Sequence, residues 1–82
     1  MAKTLSQMCP GEKGTVLAIN GKGQVYRRII DMGVVPGVTL EVKKYAPLGD
    51  PMEVKLKGFH LLLRKSEAEM IKLDLLLAGA DK

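Results

Sequence analysis

Residues 38–57 read VTLEVKKYAPLGDPMEVKLK, and their periodicity decides the fold class. Val38, Leu40 and Val42 alternate with Thr39, Glu41 and Lys43; Met52, Val54 and Leu56 alternate with Glu53, Lys55 and Lys57. A period of two places the apolar set on one face of a strand and the polar set on the other. The two half-buried strands are joined by Ala46-Pro47-Leu48-Gly49-Asp50-Pro51. Its two prolines stiffen the loop, and Asp50 can hydrogen-bond its own backbone. Leu48 is an apolar side chain that a surface loop does not require. A rigid loop offering one such side chain binds a partner with little loss of entropy. The competing reading folds Leu48 back over the end of the sheet.

Downstream, the Lys57-Gly58 turn leads into a strand over Phe59–Leu63, with Phe59, Leu61 and Leu63 on one side and His60 facing solvent. Ser66-Glu67-Ala68-Glu69 has the form of a capping box, in which Ser66 accepts from the Glu69 backbone and a helical turn runs to about Met70. Ile71, Leu73, Leu75 and Leu77 then alternate with Lys72 and Asp74 as a last strand, and residues 78–82 are expected to fray.

Upstream, the period changes over Gln24–Met32. Val25, Ile29 and Met32 fall at i, i+4 and i+7, with Tyr26 and Ile30 beside them and Arg27, Arg28 and Asp31 on the wet side. That is an amphipathic helix. Gly33 is placed to stop it in the left-handed conformation, and Pro36-Gly37 makes a turn, as Cys9-Pro10-Gly11 does earlier. Thr15–Ile19 is a β-branched and apolar strand, and Leu5-Ser6-Gln7-Met8 a short strand or arm. Five short strands, one inserted helix and one short second helix make a mainly β domain. A flat sheet cannot bury its face in so small a chain, whereas a small closed barrel removes both the open face and the edges, with the helix capping one end. Periodicity alone leaves a barrel and an open α+β sheet both standing.

The chain has 82 residues, so residues 1–82 form one domain. About 63% of its unfolded surface would be buried. A hydrophobic content of 46% with a net charge of only +4 excludes a disordered chain. One cysteine excludes an internal disulfide framework, no apolar run is long enough to insert in a membrane, and the polar N-terminus is unlike a secretory signal. Together these point to a reducing cytoplasm. The basic residues are dispersed among acids, and Tyr26, Tyr45 and Phe59 are the only aromatics. A solvated basic surface explains this better than a nucleic-acid footprint. A small basic barrel that binds nucleic acid is the alternative, and a gel shift at about 50 mM salt tests it.

No catalytic constellation emerges. Cys9 and His60 are the lone thiol and imidazole. Cys9 reads as a small buried filler and His60 as an ordinary exposed polar residue. They are weak metal candidates, since a dedicated site needs paired ligands at short spacing. A weak metal-responsive module is therefore a further alternative. Gly21-Lys22-Gly23 lacks the later glycines and the GK[ST] of phosphate loops. Glu67 and Glu69 complement a helix N-terminus. No cofactor is called for. The features left over are the cationic helix face, where Arg27 and Arg28 have only Asp31 nearby, and the loop 46–51.

These features carry a family resemblance. Residues 27–37, RRIIDMGVVPG, are similar to the RRLxDxGlxPG segment of the FeoA family, the small bacterial ferrous iron transport protein A. Residues 46–51 are similar to its APLGDP loop, and residues 62–68, LLRKSEA, to its aLRrsEA segment. The resemblance implies an SH3-like β-barrel with inserted helices. It also implies a cytosolic accessory role beside FeoB, a membrane iron(II) transporter with a cytosolic G-protein domain, through protein–protein contact and without catalysis. The family offers no active-site residue to carry over. The residues expected to meet the partner are Arg27, Arg28 and Asp31 on the helix, and Leu48, Gly49, Asp50 and Pro51 on the loop. Gly33, Pro36 and Gly37 are expected to be structural turns. A weak homo-oligomer stays open.

Overall fold

A computed structural model describes residues 2–75. In chain order these are β1 (Ala2–Thr4), a 3-10 turn (Leu5–Gln7), β2 (Lys13–Ile19), α1 (Gly23–Asp31), β3 (Thr39–Tyr45), β4 (Met52–Leu56), β5 (Phe59–Leu63), α2 (Lys65–Ala68) and β6 (Ile71–Leu75). All strand pairs are antiparallel, and the six strands hydrogen-bond in the order β1-β6-β2-β3-β4-β5. The fold is mainly β, with two helices. The expectations for Leu77 and for residues 78–82 fall outside the described residues.

The alternation read from residues 38–57 is realised. Leu40, Val42, Met52, Val54 and Leu56 all enter the core. Val16, Leu63, Ile71 and Leu73 join them from the other strands, so one face of the sheet coils around a single core. Burying each such side chain contributes about 1.5–3 kcal/mol. A bulge between Val42 and Lys44 shifts the register of β3 against β4. It leaves Lys43 and Lys44 both exposed and returns Tyr45 to the core side, opposite Met52.

Five local expectations need correction. Among the described residues there are six strands, because Ala2–Thr4 pairs with β6. Leu5–Met8 is not a strand: Leu5 opens a 3-10 turn whose last bond is Met8 N–H to Leu5 carbonyl at 3.1 Å, and this drops both side chains into the core. Cys9 is not the buried filler; it is exposed on the adjoining turn, while its neighbour Met8 is buried. The capping residues of α2 lie two positions earlier, since Arg64 is the N-cap and Glu67 reaches back to its N–H at 2.9 Å. Phe59 lies 71% exposed. It is the first residue of β5, directly after the hairpin turn, and is left uncovered although its cross-strand partner Leu56 is buried.

The same hairpin stores a local cost. Lys57 and Gly58 have φ of 50° and 88° between the paired Leu56 and Phe59, the geometry of a type I′ turn. Lysine in the left-handed region costs about 1 kcal/mol that asparagine largely avoids. Lys57→Asn is expected to raise the melting temperature by roughly 4–8 °C per kcal/mol recovered, read by thermal unfolding.

Candidate functional site

The short helix α2 is where distant polar groups converge. Its first N–H, on Lys65, donates to Asp50 Oδ1 at 2.9 Å, so the loop 46–51 is pinned to the helix start. Asp50 thus caps a remote helix, where its own backbone was the expected partner. Within the loop, Ala46 N–H donates to Pro51 carbonyl at 2.9 Å and Gly49 N–H to Ala46 carbonyl at 2.7 Å. Gly49 permits this at a φ of 88°, and the Asp50–Pro51 peptide is cis. The result is a closed, internally bonded loop with Leu48 at its tip, 96% exposed. Leu48 does not fold back over the sheet.

The second connection reaches α1. Glu67 is only 4% exposed, and its carboxylate has two duties: Oε1 accepts from Arg64 N–H, and Oε2 pairs with the Arg28 guanidinium. A buried carboxylate requires such partners. Arg28 therefore has an intramolecular partner across the fold, although about half of its side chain stays exposed. Arg27 and Asp31 are exposed and make no ion pair among the described residues. They line an open depression along α1 with Tyr26 and Ile30. Only Ile29 of α1 is fully buried; Val25 and Tyr26, read as core-facing, are 38% and 40% exposed. Gly33, at φ 95°, terminates the helix through its N–H to Ile30 carbonyl, and the Pro36-Gly37 turn is tied to β2 by Gly37 N–H to Val16 carbonyl at 2.8 Å.

The loop is also fixed at its base. Tyr45 donates its hydroxyl to Met8 carbonyl at 2.5 Å, with Ser6 carbonyl at 3.3 Å. Burial, and then the electrostatic influence of Cys9 and Glu12, raise the Tyr45 pKa above the ordinary 10.0. The hydroxyl is neutral longer in the folded chain than in the unfolded one, so the unfolded state loses its proton first. Stability should be fully present below about pH 10 and fall as pH rises through the folded pKa. In Tyr45→Phe that alkaline loss should disappear from urea titrations at successive pH values, with about 1 kcal/mol lost at neutral pH.

Neither weak metal candidate acquires a ligand set. His60 Nδ1 lies 2.5 Å from Glu53 Oε2 on the outer face of β4 and β5, and Cys9 belongs to the turn before β2. Among the described residues no cluster of three or more His, Cys, Asp or Glu side chains could hold a metal ion. No helix of the described residues is long and apolar enough to cross a membrane. Residues 27–37, 46–51 and 62–68, separate in sequence, are thus joined through Arg28–Glu67 and Asp50–Lys65. Sequence reading missed Glu67 as the hub; its one signal was a carboxylate three residues after Arg64.

Comparison with known proteins matches the same architecture. The FeoA-like protein of Clostridium acetobutylicum, solved by NMR, is 38% identical with a TM-score of 0.86, over 93% of this chain and 88% of that one. Stenotrophomonas maltophilia FeoA, crystallised with zinc and described as a procaryotic SH3 domain protein, is 25% identical with a TM-score of 0.77, over 88% and 89% of the two chains. The small coiled sheet is accordingly SH3-like. A Porphyromonas gingivalis protein described as a fusion of Fe(2+) transport protein A and the Fe(2+) transporter FeoB is 32% identical over 93% of this chain. The chain spans only 9% of that relative's length. The FeoA domain family model covers residues 3–75, which include every strand but the first residue of β1 and the whole of the α2 hub, and the chain belongs to the FeoA family, which is linked to ferrous iron transport.

Proposed function

We propose that this chain is a non-enzymatic, cytoplasmic accessory module of bacterial ferrous iron uptake that docks on the cytosolic part of a FeoB-type transporter. The observation that carries the reading is the fused relative, in which an A-type domain and the transporter share one polypeptide. Fusion holds two partners at high effective concentration, an advantage only if they act together. The loop supplies the contact. Leu48 is the apolar anchor, Gly49, Asp50 and Pro51 hold it out, and the exposed Arg27, the accessible part of Arg28 and Asp31 steer a charged partner. Gly33, Pro36 and Gly37 keep helix and loop in position. Co-expression with a tagged transporter from the same cell tests the reading. The untagged chain is expected to co-purify with the transporter through washes at physiological salt; its absence from the eluate, with both proteins folded and abundant, overturns docking.

A further inference from the structure

Among the described residues β5 is an edge strand, and its register shows which backbone groups face away from β4. Leu56↔Phe59, Val54↔Leu61 and Met52↔Leu63 are the hydrogen-bonded pairs set by the two-residue turn, so the alternate His60 and Leu62 turn their N–H and C=O groups away from β4. Among the described residues no backbone group meets them. Natural edges are usually blunted by charge, proline or a bulge. This edge instead carries Leu62, 61% exposed, and Phe59, 71% exposed, and its register with β4 is free of bulges. The surroundings are basic: Lys55 lies opposite His60, and Lys57 and Arg64 flank the strand, all without an ion pair among the described residues. The neighbouring acid, Glu53, is already shared by Lys44 and His60.

We infer that β5 is a strand-addition site for an extended acidic segment of a partner protein, with apolar residues at alternate positions. The added strand would use the outward amides of His60 and Leu62, cover Leu62 with an apolar side chain, and set carboxylates against Lys55, Lys57 and Arg64. A second copy of this chain is disfavoured, because antiparallel β5 pairing would set these like charges against one another. The loop 46–51 adjoins the far end of β5 through Met52↔Leu63 and Asp50–Lys65, but Leu48 is not among the residues the added strand would use, so Leu48→Asp and the β5 variants separate this inference from docking through Leu48.

The test titrates the isotope-labelled full chain with a short end-blocked peptide of alternating glutamate and valine, read by NMR. Saturable shifts centred on residues 59–63 are expected, with slowed amide exchange at His60 and Leu62. Lys55→Glu should weaken binding roughly tenfold, and Leu62→Lys at least as much, with melting temperatures kept. Four results overturn the inference: no shifts at β5, equal binding of the matching lysine–valine peptide, the same shifts with oligothymidylate, or His60 and Leu62 amides already protected in the free chain, whether by residues 76–82 or by a second copy.

Discussion

Leu48→Asp is expected to leave folding untouched and to abolish co-purification with the transporter. The side chain is 96% exposed at the loop tip and makes no core contact, so the melting temperature should move by no more than the roughly 0.5 kcal/mol typical of surface substitutions. In a complex, the same position would lose about 1.5–3 kcal/mol of apolar burial and gain a carboxylate that must be desolvated. Together these weaken affinity by at least about a hundredfold, beyond what a wash tolerates. The measurement pairs a thermal melt with capture on the tagged transporter. A folded Leu48→Asp protein that is still captured removes the loop from the mechanism. Arg27→Glu serves as a graded companion: an exposed charge mainly alters association rate and its salt dependence, so capture should weaken and not vanish.

Glu67→Ala is expected to be the most destabilising single change on the polar side of the molecule. One buried carboxylate satisfies the Arg64 N–H and holds the Arg28 guanidinium, and so bonds α1 to α2. Its loss leaves an unsatisfied amide at the start of α2, an unpaired guanidinium and a small void. The cost should be about 2–4 kcal/mol, discounted for the half-exposed arginine, which water can resolvate. For a domain of this size that is roughly 10–20 °C in melting temperature. Glu67→Gln keeps an oxygen for the Arg64 N–H and should lose clearly less. A Glu67→Ala protein that melts with the wild type would show that α2 is held by Ala68 in the core alone. Capture offers a second readout: because Asp50 bonds the first N–H of α2, loosening that helix should also loosen the loop and weaken docking at temperatures below the melt.

Several elements were legible in the residues themselves. Leu40, Val42, Met52, Val54 and Leu56 lie in the core as their period of two requires, and Gly33 ends α1 at φ 95°. The misreadings share a cause. Val25 and Tyr26 have helical spacing toward the core, yet α1 contributes only Ile29 to full burial, because periodicity gives the direction of a side chain and not whether anything lies there to cover it. Phe59 fails likewise: its parity matches Leu61 and Leu63, yet it stays exposed beside its buried cross-strand partner Leu56. The 3-10 turn at Leu5–Gln7 is too short to carry a period at all.

The candidate surface divides along the same line. Loop 46–51 announced itself by composition, with two prolines and an unneeded leucine, whereas what holds it did not. Asp50 meets Lys65 across 15 residues, and Arg28 meets Glu67 across 39. The sequence by itself determined five of the six described strands, the hairpin and helix-stop turns, helix α1 and the family, because these rest on local spacing and on short residue patterns. Only the tertiary structure decided which polar groups meet, that Leu48 is held outward and that β5 is left as an edge. Those outcomes depend on how the sheet coils around its core, and contacts between residues far apart in the chain leave no period for a reader to find.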